Sequence, residues 1–71
     1  MNRDVFNFVI YMIHACAKKW NRLPSDVYEV LQSCNCIHDY LVPFYDILHT
    51  QSSNYVVEDI QDFLKNRGVS L

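Results

Sequence analysis

Apolar residues recur along this chain at steps of three and four, and no stretch alternates at period two. That spacing predicts helices throughout. Val5, Val9, Met12, Cys16 and Trp20 form one stripe, and Phe6, Ile10, Ile13 and Ala17 fill the stripe beside it. Two adjacent stripes make a wide apolar face, so a long first helix opening at Asp4 is expected to be central and covered from more than one side. Lys18, Lys19 and Arg22 gather at its end, where cations suit the helix dipole. Leu23-Pro24-Ser25-Asp26 reads as the next helix start, with Ser25 as the cap and Asp26 and Glu29 in the first turn. Val27, Val30, Leu31 and Cys34 give that helix a narrow stripe, which predicts a short, half-exposed element.

Residues 33–36 read as a turn. After it Ile37, Tyr40, Leu41, Phe44, Tyr45 and Leu48 keep the helical step, but Pro43 sits inside the run. Proline removes a helix hydrogen bond and clashes one turn back. The third helix is therefore expected to kink or split near Val42, with Pro43 starting a second short piece. Residues 49–54 are the longest polar, uncharged stretch and read as a loop, with Ser53 or Asn54 capping the last helix. Val56, Val57, Ile60, Phe63 and Leu64 make that helix's inner face, and Glu58, Asp59 and Asp62 its outer one. Gly68 supplies the stop. The reading is one all-α domain over residues 1–71, a small bundle of four helices.

Composition narrows the function. The chain has 71 residues, is 51% hydrophobic and 14% aromatic, and carries a formal net charge of -2. A domain this small buries only about 60% of its unfolded surface. Its apolar content therefore points to a contact surface or a homodimer as well as a core. Six Lys and Arg against eight Asp and Glu disfavour nucleic acid, which needs clustered cations. A helix-turn-helix reader is the weaker alternative, because residues 37–48 contain no Lys or Arg. The longest apolar run, residues 8–13, is far short of the roughly 20 needed to cross a bilayer. No leader is visible, and a cytoplasmic location is expected. Three cysteines are an odd number, which argues against a closed disulfide framework.

Candidate chemistry is sparse. Cys34-x-Cys36-x-His38 is spaced too tightly for a zinc knuckle, since a one-residue gap turns side chains about 200° apart on a helix. No metal and no cofactor are expected. His38-Asp39 and Asp46 with His49 each pair a base with an orienting acid, yet no nucleophile is poised beside them, and an enzyme is not expected. One glycine excludes glycine-rich phosphate cradles. What remains is a surface around the proline break. Tyr40, Phe44, Tyr45, His49, Thr50 and Gln51 combine apolar bodies with polar tips, which suits contact with a partner protein. An exposed His49 beside Tyr45 and Gln51 would favour contact, and a buried one a structural role.

The stretch Tyr45-Asp46-Ile47-Leu48-His49-Thr50-Gln51, followed by Tyr55-Val56-Val57-Glu58-Asp59-Ile60, resembles the DUF3791 family, a domain of unknown function in short bacterial proteins. Val27-Tyr28-Glu29-Val30-Leu31 and Tyr40-Leu41 are similar too. The resemblance runs from about Val5 to Gly68, and its signature residues are Tyr45, Leu48, His49, Thr50 and Gln51. It implies a small helical cytosolic protein without an assigned activity. It also implies an accessory or antitoxin-like partner of ADP-ribosyltransferase-like proteins encoded nearby.

Overall fold

The computed structural model describes residues 1–69. It is all-helical and compact, with 75% of the described residues in helix and no strand among them. Helix α1 spans Arg3–Trp20, α2 Pro24–Ser33, α3 Tyr45–Leu48 and α4 Ser53–Asn66. A π-helical turn, Ile37–Leu41, lies between α2 and α3. There are thus five helical segments where a bundle of four was expected.

Helix α1 packs against both α2 and α4, as its central role requires. The Asn2 side chain accepts the Val5 amide at 2.8 Å and caps its start. At the far end Asn21 adopts the left-handed region, φ 55°, and the Asn21 and Arg22 amides both reach the Ala17 carbonyl. One expectation about α1 fails. Val5, Val9, Met12, Ile13, Cys16 and Ala17 are buried, but Phe6 is 54% and Ile10 39% exposed. Its apolar face is therefore wider than the two helices packed on it can cover.

The start of α2 also differs. Pro24 is its first residue and Leu23 precedes it, with no side-chain cap from Ser25. Proline suits that position because its φ is preset and its missing N–H would have been unpaired anyway. Ser25 falls inside the helix as a result. Val27 and Leu31 are buried, and Asn35, at φ 60°, turns the chain after Cys34.

Pro43 breaks the third helix where expected, in a different form. Its ring would strike the Asp39 carbonyl in an α-helix, and it has no N–H to donate there. The preceding turn widens instead, so the Val42 amide reaches back five residues to the Ile37 carbonyl at 2.9 Å. The chain turns through residues 42–44, and α3 begins at Tyr45, two residues after the proline.

Ser52, one residue before the expected caps, accepts the Tyr55 amide at 3.2 Å and starts α4. Val56, Val57, Ile60 and Leu64 are buried on its inner face, with Phe63 half-buried. Gly68, at φ 75°, closes α4 as expected. Its amide reaches the Lys65 carbonyl and the Val69 amide reaches that of Leu64, the paired pattern of a Schellman stop.

The burial pattern makes a contrast that urea unfolding measures. Leu41→Ala, at a side chain with 0% exposure, is expected to cost about 2–5 kcal/mol. Phe6→Ala is expected to stay within about 0.5 kcal/mol of the parent.

Candidate functional site

Two tethers hold the π-helical turn against α4. At the first, the Arg67 guanidinium lies 3.4 Å from the Asp39 carboxylate, donates to the Cys34 carbonyl at 3.3 Å and covers the Phe63 ring at 4.5 Å. Asn35 also donates to Asp39, at 3.0 Å. At the second, the Tyr40 hydroxyl donates a hydrogen bond to Asp59, nineteen residues away. The Tyr40 ring also packs on Phe63, with centroids 5.6 Å apart. Burial, and then the bond to Asp59, push the Tyr40 phenol well above its ordinary pKa. It stays a donor at any physiological pH.

Beside the Tyr40–Asp59 pair lies a hollow of about 200 Å³. Tyr40 and Phe44, with ring centroids 6.0 Å apart, form one wall, and Tyr55 of α4 another. Ile47, Leu48 and Gln51 complete it, and Asp59 is its acid. Phe44, Ile47 and Tyr55 at its edge are 49%, 62% and 52% exposed. The hollow therefore opens into a contiguous apolar rim.

The six sequence-predicted residues divide between two places. Tyr40, Phe44 and Gln51 line the hollow. Tyr45 and His49 stack on each other, centroids 4.6 Å apart and planes 13° from parallel, and the edge of this pair meets Phe8 of α1 through Tyr45. His49 is exposed. Its Nδ1 lies 2.9 Å from the Tyr45 carbonyl. A carbonyl only accepts, so Nδ1 is the donor in this contact. Thr50 donates its hydroxyl to the Ile47 carbonyl at 2.7 Å, closing α3.

Ile47, Tyr55 and Asp59 belong to the hollow and were not singled out as contact residues. Ile47 is out of phase with the buried series from Ile37 to Leu48, which marks an apolar side chain facing outward. Asp59 was placed on the outer face of α4, and it is half-buried because Tyr40 reaches it. The two His–Asp pairings take other forms. Asp39 is held by Asn35 and Arg67, and His49 by the Tyr45 carbonyl.

A larger hollow, about 590 Å³, lies between α1 and the start of α4. Tyr11, His14, Lys18 and Lys19 line one side, and Ser53 and Asn54 the other. Long exposed lysines form much of its wall, and ordering them costs side-chain entropy. The smaller hollow has the firmer walls, being built on the Tyr40 tether and continuous with exposed aromatic surface.

The cysteines are core residues. Cys16 and Cys36 are fully buried and Cys34 nearly so, all as free thiols. Among the described residues no group of three or more His, Cys, Asp or Glu is placed to hold a metal.

These features define a small all-helical domain with an aromatic-walled surface hollow. The family model "Protein of unknown function (DUF3791)" matches residues 7–67, and the chain belongs to that family. Comparison with curated proteins and with solved structures gives no match.

Burial sets the pH response. Desolvation pushes Cys16 from an ordinary value near 9.0 up to about 12. Cys36 rises equally, through burial first and then its Cys34 and Cys16 neighbours. Between those values the unfolded thiols release protons that the folded ones keep, so stability falls as pH rises. The urea midpoint is expected to drop steadily from pH 9 upward. At pH 8 a thiol reagent is expected to label Cys16 and Cys36 only after unfolding.

Proposed function

We propose that this chain is a bacterial cytosolic protein-interaction domain that docks a partner protein over the rim of Phe44, Ile47 and Tyr55. The observation that carries the reading is the exposure of these three large apolar side chains around one hollow. Aromatic residues at the centre of a water-excluding patch supply most of the energy in a typical interface. Among the described residues no helix is long and apolar enough to cross a membrane.

The partner we propose is an ADP-ribosyltransferase-like protein from a neighbouring gene, held or neutralised by occlusion. That choice rests on the sequence resemblance. The domain itself acts as a binder and not as an enzyme. Nucleic acid is a poorer partner, because the segment after α2 is a π-helical turn and a four-residue helix rather than a continuous recognition helix. A second reading, a homodimer, is favoured by Phe6 and Ile10, an exposed pair one turn apart on α1.

Charge substitutions separate the two faces. In tagged protein purified from its own cells, Phe44→Glu with Ile47→Glu is expected to lower recovery of a stoichiometric partner at least tenfold. Phe6→Glu with Ile10→Glu is expected to leave recovery unchanged. The opposite pattern, with loss of a dimer in light scattering, supports self-association and removes the docking reading.

A further inference from the structure

We infer that the hollow between the π-helical turn, α3 and α4 receives a cationic side chain, a lysine or an arginine, from the docked protein. This inference rests on the docking reading above and names the chemistry of the contact. Three rings, Tyr40, Phe44 and Tyr55, line a space of about 200 Å³. That is several times the roughly 30 Å³ share of one water, enough for one long side chain and too little for a helix or strand. Ring faces carry negative potential and attract ammonium and guanidinium groups.

The acid in the hollow gives the site its sign. Asp59 is half-buried, and Tyr40 donates to its Oδ2. Among the described residues no Lys, Arg or His pairs with Asp59, and none lines the hollow. Of the two cations at the end of α4, Arg67 is committed to Asp39 and Phe63, and Lys65 makes no ion pair with Asp59 and does not line the hollow. The Tyr40 phenol, kept protonated by burial and by its bond, orients the carboxylate without neutralising it. A carboxylate framed by aromatic walls and left without a counter-charge is complementary to a cation on a long apolar stem. Lysine and arginine have that form.

The test is an NMR titration of the full chain with three blocked amino acids: N-acetyl-lysine methylamide, its arginine counterpart, and the neutral norleucine analogue. Saturable shifts at Tyr40, Phe44, Tyr55 and Asp59 are expected with lysine or arginine, roughly tenfold tighter than with norleucine. Asp59→Asn is expected to bring that preference to within about twofold. Tyr55→Leu changes an exposed ring, leaves the Tyr40–Asp59 pair intact, and is expected to lower cation binding at least threefold. It serves if Asp59→Asn unfolds.

Norleucine binding as tightly as lysine overturns the inference, as do shifts that map elsewhere or no shift at tens of millimolar probe. The docking reading is judged separately, by partner recovery with Phe44 and Ile47 changed. Loss of recovery there, together with indifferent probe binding, leaves docking standing and the cation inference refuted.

Discussion

Pro43 cannot donate a hydrogen bond to the Asp39 carbonyl, and its ring cannot pass that carbonyl in an α-helical turn. The aromatic hollow on this domain's surface follows from that constraint. Without the break, residues 37–48 would run as one amphipathic helix with Tyr40, Phe44, Tyr45 and Leu48 on its inner side. With it, the Val42 amide reaches back to Ile37 and the chain turns through residues 42–44. Phe44 then faces solvent beside the outward Ile47, while Leu41 and Leu48 stay buried. Widened π turns often occur at functional sites, because they re-aim side chains at a local cost in backbone regularity.

A broken helix needs external support, and α4 provides it. Arg67 holds Asp39 at one end, and Asp59 accepts from Tyr40 in the middle. The Arg67–Asp39 pair is largely exposed and contributes little energy by itself. Its value is in register, since the same guanidinium also reaches the Cys34 carbonyl and the Phe63 ring. The Tyr40–Asp59 bond is better shielded. It places a carboxylate beside three aromatic rings, so one contact both fastens the fold and sets the character of the hollow. On the other side of α3 the Tyr45–His49 stack leans on Phe8 and fixes this short helix to α1.

Much of this was legible in the sequence where the signal is local. Helical periodicity gave the long elements, and Pro43 marked the break. Asn21 and Gly68 ended helices through left-handed geometry, of which only Gly68 was foreseen. The failures have specific causes. Phe6 and Ile10 sit on a helical stripe continuous with Ile13 and Ala17, and periodicity alone does not tell where the neighbouring helices stop. Ser25 has the chemistry of a cap, but the preset φ of Pro24 starts the helix one residue earlier and places Ser25 inside it. Tyr40, Phe44 and Gln51 were recognised because they cluster near the proline. Asp59 was not, because its role depends on a partner nineteen residues away and leaves no trace in local pattern. Membership of the DUF3791 family, shown by a match over residues 7–67, carries no chemistry with it, so the site rests on geometry alone.

On the proposed reading, the surface around Phe44, Ile47 and Tyr55 is where this domain meets its partner. Amide hydrogen exchange on the free chain and on the complex isolated from its own cells tests it most directly. The account predicts slowed exchange over residues 44–51 and at the start of α4, with no change over residues 3–10. Protection confined to the Phe6 and Ile10 end of α1, or recovery of the chain with no partner, would contradict it.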